Sequence, residues 1–239
     1  MTSVYSEWGL MGVETLRKRV PVLVIVDVLS FSTAVDIAVS KGAYILPFPS
    51  GDRSAAQKAA SAADAHLGAP RQAGGGQVSL SPRTLAQLAA GTRLMLPSPN
   101  GSRISLAGEE TLVMAGCLRN ARAVAAHARY LAGDGDIAVI LAGERWPDGS
   151  LRPAIEDLLG AGAILDALDL PMSPEAVIAR EAFRSAGVNL ESLIRQSVSG
   201  RELIDEGYAD DVALALDING STATPVLRDG AYRNDAIHA

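Results

Sequence analysis

Apolar residues along this chain fall into short unbroken runs separated by Ala-rich amphipathic stretches. Residues 22–26 read Val-Leu-Val-Ile-Val. Such a run suits a strand buried on both faces of a parallel sheet. Asp27 ends it, Ser30, Ser32 and Thr33 follow, and Ala34, Ile37 and Ala38 then recur at helical spacing. The alternation repeats. Further strands are predicted at 43–48, 92–96, 111–115, 136–141 and 224–227. Helices are predicted over 54–67, 82–90, 121–131, 173–186, 190–196 and 200–206, and from Pro153 onward. Ser50 or Asp52 is expected to cap the first of these, and Ser81 the second, with Pro82 at its first helical position. Residues 1–19 hold a short amphipathic piece, 211–217 fit helix or strand, and the tail from Tyr232 is expected to be loose. No repeat of fixed period and no linker interrupts the order. The pattern predicts one α/β domain over 1–239, a three-layer α/β/α arrangement with a largely parallel or mixed central sheet. A small helical C-terminal subdomain over about 171–239 is a variant of the same reading.

Composition narrows the partners. The chain has 239 residues, of which 48% are hydrophobic and 4% aromatic, so its core is built from Ala, Val, Leu and Ile. Its net charge of -6, with no long basic run, argues against nucleic acid as the main partner. A small anionic substrate needs only a few local donors and stays compatible. The lone Cys117 cannot form a disulfide within the chain. No apolar signal core lies in 1–19, and no apolar run approaches the ~20 residues that span a bilayer. The expectation is a cytoplasmic protein with no membrane partner. The acidic surface and Ala-rich helices are compatible with a homodimer.

Four strand ends share one design, an apolar run followed by small or polar residues: 27–33, 98–103, 116–120 and 143–145. In a parallel sheet such ends face one side and converge on one crevice. The acids would be Asp27, Glu144, Glu156 and Asp157. Arg83, Arg103, Arg119 and Arg145 would be the cations, with Ser30, Ser32, Thr33, Asn100 and Ser102 as polar contacts. Carboxylates suit magnesium and arginines suit phosphate oxygens. Asp27 could hold a metal, take a proton or attack as a nucleophile; it and Ser30 could equally serve only to cap the helix. Glu156 and Asp157 are adjacent, about 100° apart on a helix, so at most one is expected to face the crevice.

Other chemistries find less support. There is no Walker-type Gly-x-x-x-x-Gly-Lys-Ser/Thr, and Asp27-Val28-Leu29 lacks the second aspartate of an Asp-x-Asp phosphatase. Cys117 reads as a buried thiol, because the tyrosine-phosphatase arginine position holds Ala123. His66 and His127 fall in predicted helices and His238 in the tail, which leaves no His-rich zinc site. Residues 74–76 read as a glycine hinge and Glu109-Glu110 as a solvated pair.

Taken together, these residues resemble the 2-phosphosulfolactate phosphatase family (ComB-like). Trp8-Gly9 is similar to its early Trp-Gly. Residues 24–33 resemble its strand followed by Asp-Val-Leu-Arg-Ala-Thr-x-Thr. Ser81-Pro82-Arg83, the 99–103 loop, 116–121, Ala142-Gly143, Glu156-Asp157, Ala161-Gly162, 200–203 and Asp211-Val212 resemble later motifs in order. The family arginine after Asp-Val-Leu is Ser30 here, the next alanine is Phe31, and the Asn before Ser-Pro-Arg is Leu80. The resemblance implies a magnesium-dependent phosphatase linked to coenzyme M biosynthesis and acting on a small anionic phosphorylated substrate, 2-phosphosulfolactate or a related 2-phospho-acid. It carries catalytic roles to Asp27, Asn100 and Arg103. Substrate contacts fall on Ser30, Ser32, Thr33, Arg83, Gly101, Ser102, Arg119 and Asn120, and Mg2+ ligation on Asp27, Glu144 and Asp157. Two alternatives stay open: a non-catalytic anion-binding protein of the same fold, and a hydrolase or transferase that uses Cys117.

Overall fold

The computed structural model describes residues 2–49, 51–73, 76–108 and 110–235. Ser50, Gly74, Gly75, Glu109 and His238 therefore lie outside the described residues. The strands are β1 Val4–Trp8, β2 Val22–Val26, β3 Tyr44–Pro49, β4 His66–Leu67, β5 Arg93–Ser98 and β6 Leu112–Gly116. They continue with β7 Ile137–Leu141, β8 Glu144–Arg145, β9 Leu151–Arg152, β10 Pro225–Arg228 and β11 Ala231–Asn234. The helices are α1 Gly9–Leu16, α2 Phe31–Ser40, α3 Arg53–Ala62, α4 Pro82–Leu85, α5 Gly101–Ala107 and α6 Ala121–Ala132. After them come α7 Ile155–Leu168, α8 Pro174–Ala186, α9 Leu190–Gln196, α10 Val198–Asp205 and α11 Ala209–Ala215.

Every residue of β2 is buried, and its side chains divide between two cores. Val22, Val24 and Val26 join α6, α7 and α8 through Val124, Ile164 and Ala179. Leu23 and Ile25 join α1, α2 and α5 through Val13, Phe31 and Ile104. A strand whose odd and even residues both meet helices lies in the middle of three layers. The result is a three-layer α/β/α fold with a mixed sheet. Among the described residues, no helix is long and apolar enough to cross a membrane.

The sheet order is β1-β7-β2-β6-β10-β11-β3-β5-β4. One block, β1, β7, β2 and β6, is parallel throughout. A second block, β3, β5 and β4, is also parallel. The β10–β11 hairpin joins them by antiparallel pairing with β6 on one side and β3 on the other. By that pairing β5 runs nominally opposite to β2. Sheet twist offsets this: at roughly 20–25° per strand pair, the five steps from β2 to β5 turn the direction by about 100–125°. The ends of β2 and β5 can then meet over one face, and the contacts below show that they do.

Several local expectations differ. The predicted 54–67 helix stops at Ala62, where Ala65 N–H returns to Ala60 O at 2.9 Å and Asp64 takes φ 49°. His66 therefore lies on the sheet edge beside β5 and not in a helix. Asp52 caps α3 by accepting Ala55 N–H at 3.0 Å. The predicted 82–90 helix starts at Pro82 as expected but is only the single turn of α4. Residues 1–19 contain a strand as well as a helix, with β1 pairing β7. Residues 209–215 are helical. The described part of the tail is ordered as β11: Tyr232 is fully buried there, and its hydroxyl donates to Ser105 Oγ at 2.7 Å.

Gly162 shows how closely the α7 layer packs. A Cβ there would meet the backbone oxygen of Ala179 and sit 2.6 Å from Phe183 Cβ. Alanine gains about 1 kcal/mol in helix propensity over glycine. A clash with backbone cannot be relieved by a rotamer change and costs more, typically about 1–3 kcal/mol. Gly162→Ala is therefore expected to lower the urea midpoint. An unchanged or raised midpoint would mean that α7 and α8 are not in this contact.

Candidate active site

Asp27 follows β2 directly and is 8% exposed. Its Oδ1 accepts Phe31 N–H at 3.1 Å and its Oδ2 accepts Gly101 N–H at 2.9 Å. One carboxylate thus joins the start of α2 to the start of α5. Gly101 has no side chain for a concrete reason: a Cβ there would sit 2.5 Å from Phe31 Cβ and Cγ. Burial pushes the Asp27 carboxyl up to about 6, the two N–H donors oppose the rise, and the charges of Glu144 and Glu156 add to it.

A second carboxylate braces this one from behind. Asp157, in the first turn of α7, accepts Val28 N–H at 2.8 Å and Gly143 N–H at 2.9 Å. It ties the loop after β2 to the loop after β7. Burial, then the charges of Asp27 and Glu156, hold its carboxyl well above the usual range. Glu144 stands at the mouth, where its Oε1 accepts Asn100 Nδ2 at 2.8 Å and Arg145 N–H at 2.9 Å. Asn100, Glu144 and Arg103 line a cleft of about 190 Å3.

The structure thus brings Asp27, Asn100, Gly101, Arg103, Glu144 and Asp157 to one region. Ser32, Thr33 and Ser102 lie beside them but turn inward. Ser32 Oγ donates to Ile25 O at 3.0 Å, Thr33 Oγ1 to Val28 O at 2.8 Å and Ser102 Oγ to Leu96 O at 3.0 Å. All three are fully buried, so their hydroxyls satisfy strand-end carbonyls rather than face a ligand.

Arg119 and Asn120 are not at this cleft. Arg119 binds Asp36 at 2.9 Å and Asp217 at 2.8 Å. Asn120 is fully buried, and its Oδ1 accepts Cys117 N–H at 2.9 Å. The loop after β6 is thus engaged with α2 and with the chain that leads to β10. Arg83 pairs with exposed Asp210 at 2.9 Å and lines a separate cavity of about 310 Å3. Glu156 and Asp157 are both buried, each 3% exposed, and neither is among the residues that line the cleft.

Sequence reasoning placed Glu156 among the crevice acids with Asp27, and its charge does act on Asp27, but it missed Arg71 altogether. The Arg71 guanidinium donates through Nη2 to Ser30 Oγ and through Nη1 to Asp211 Oδ2 at 3.3 Å. It lies 5.1 Å from the ring centre of Tyr208, whose hydroxyl donates to Arg71 O at 3.0 Å. A guanidinium therefore does stand at position 30, delivered by a distant segment. Nothing periodic marks Arg71 in its loop, so only the fold identifies it.

The donor set can be tested for a metal ion. Among the described residues, no three acidic, His or Cys side chains are placed to share one ion. Asp157 is 3% exposed and ties the loops after β2 and β7 together through both oxygens, so it braces those loops. Asp27 also accepts one N–H on each oxygen but keeps a lone pair on each and feels the charge of Glu144. Asp27 and Glu144 remain. Magnesium commonly takes one or two carboxylates, several waters and substrate oxygens. A cation would also relieve the repulsion that Glu144 exerts on Asp27. The residues fit a largely hydrated magnesium ion in kind. They do not fit a closed protein cage.

The site is an α/β sheet whose buried carboxylates lie beside a cleft lined by two arginines. The chain belongs to the 2-phosphosulpholactate phosphatase family, whose model matches residues 12–230. It is thereby placed among phosphoric monoester hydrolases. One relative, from Symbiobacterium thermophilum, is described as a probable 2-phosphosulfolactate phosphatase. It is 29% identical over 223 residues, covering 87% of this chain and 92% of that relative.

Two outcomes are expected from this geometry. Asp27 titrates at about 6 in the fold, against an ordinary value of 3.8. Its contribution to stability is complete below the lower value and is lost as pH rises through the higher one, on the order of 3 kcal/mol in all. In metal-free buffer, the wild-type melting temperature should fall between pH 4.5 and 7.5 more steeply than that of Asp27→Asn. Parallel curves would contradict the shift. Burial pushes the Cys117 thiol up to about 12. A thiol reagent at pH 8 should therefore leave the folded chain unmodified, and Cys117→Ser should retain activity; loss of activity in either case would revive the cysteine mechanism.

Proposed function

We propose that this chain hydrolyses the phosphomonoester of a small acidic metabolite, 2-phosphosulfolactate or a related 2-phospho-acid. The observation that carries this is Asp27: a buried carboxylate of raised pKa, held by two N–H groups, beside the cleft of Asn100 and Arg103. An acid that titrates near neutrality is suited to exchange a proton with a reacting water. Because both of its oxygens already accept N–H donors, Asp27 is better placed to take a proton than to attack phosphorus. Arg103 and Asn100 would hold the phosphoryl oxygens, with the guanidinium supplying charge-assisted hydrogen bonds. Glu144, bonded to Asn100, would keep that amide oriented. Magnesium would be held by Glu144, and by Asp27 through the ion's bound water so that the Asp27 carboxylate stays able to take a proton, and it would neutralise charge on the phosphoryl oxygens.

The test is phosphate release from a panel of phosphorylated 2-hydroxy acids, with magnesium and then with EDTA. Turnover should require magnesium. Asp27→Asn should lower kcat by at least a hundredfold without unfolding the chain. Tight substrate binding by calorimetry without phosphate release would support the non-catalytic reading instead. A readout independent of turnover tests the ion: magnesium should raise the melting temperature of the wild type at pH 7.5 but not that of Asp27→Asn. Equal shifts in the two proteins would remove Asp27 from its ligands.

A further inference from the structure

We infer that Arg145, on the β8–β9 hairpin, is a specificity-determining residue that grips the acid group of the substrate that is not cleaved. The inference rests on the phosphatase reading above and goes one residue beyond it. Two cavities adjoin the site. The inner one, about 190 Å3, holds Asn100 and Glu144. The outer one, about 780 Å3, opens between Pro49, Pro99 and Leu106. Arg103 and Arg145 are the residues that line both. Both cavities therefore present the same two guanidiniums to a ligand.

Arg145 is held in place for this. Its backbone N–H donates at 2.9 Å to the same Glu144 oxygen that accepts Asn100. Its Nη1 donates to Gly149 O at 2.9 Å, which leaves the rest of the guanidinium fork open. The turn that carries Gly149 is closed on itself by Trp146 N–H to Ser150 O at 2.9 Å and Ser150 Oγ to Asp148 at 2.6 Å. Among the described residues, neither Arg103 nor Arg145 forms an ion pair. Arg145 is an exposed side chain tethered at one N–H, and the free donors of its fork match a carboxylate or sulfonate in two-point contact.

The division of labour follows from the chain. Arg103 lies two residues past Gly101, whose N–H holds Asp27, so it belongs to the reacting side. Arg145 comes from a different element, β8. The inner cavity also adjoins Glu144, with Asp27 and Glu156 behind it. A substrate with two or more anionic groups meets repulsion there unless each group finds a cation.

The experiment compares Arg145→Ala and Arg145→Lys with the wild type on two substrates: a phosphorylated 2-hydroxy acid, and phenyl phosphate, which has no second anion. Arg145→Ala should raise KM for the phospho-acid at least tenfold more than KM for phenyl phosphate, with kcat on the phospho-acid within about threefold. Arg145→Lys should recover part of the loss. An unchanged KM, or equal penalties on both substrates, would overturn the assignment. If the wild type releases phosphate from neither compound, it is the phosphatase reading that fails. The arginine is then tested by Trp146 fluorescence during titration with the phospho-acid and with inorganic phosphate. Tighter wild-type binding of the phospho-acid, lost in Arg145→Ala, supports the grip. No binding, or equal binding by the two proteins, refutes it.

Discussion

The Asp27 carboxylate, buried and shared between the N–H groups of Phe31 and Gly101, is the constraint around which this structure is arranged. Two elements that begin 70 residues apart, at Phe31 and Gly101, must start within reach of one side chain. Hydrogen bonds to a carboxylate favour its charged form, while burial and neighbouring acids disfavour it. Here burial wins, since the group ends at about 6. The fold therefore holds an acid whose ionisation near neutrality works against stability. Sites that store such a cost are commonly those that do chemistry.

The surrounding architecture keeps this group in place. Asp157 binds the backbone of both neighbouring loops, so the ends of β2 and β7 are fixed relative to one another. Glu144 and Asn100 then fix the loop after β5 against the loop after β7. Three loops from two oppositely running parallel blocks meet in this way. Sheet twist brings them within reach, and paired carboxylates and amides hold them there. The buried hydroxyls of Ser32, Thr33 and Ser102 satisfy carbonyls at the strand ends that the turns would otherwise leave unpaired.

Much of this was legible beforehand where the physics is local. The 22–26 run, the stop at Asp27 and the small residues at 98–103 are signals within one element, and each lies where the pattern predicts. Glu144 and Asp157 were readable as acids near strand ends, although Asp157 turned out to brace backbone. Arg119 was misdirected because its partner, Asp36, sits in another element that the sequence read only as helix. Arg71 left no signal. Its meaning comes from Ser30, Tyr208 and Asp211, which are separated from it by 41 to 140 residues.

By itself the sequence determined the alternation of buried strands and helices, the α/β class and the acid at the end of β2, because hydrophobic periodicity and strand-end polarity are properties of neighbouring residues. Tertiary structure decided the rest. It inserted the β10–β11 hairpin into the centre of the sheet, although only the first of its strands, at 224–227, shows as an apolar run in the sequence. It also decided which arginines face the cleft and which are neutralised elsewhere. A guanidinium's role depends on which carboxylate reaches it first, and that is set by distances between elements that no local pattern encodes.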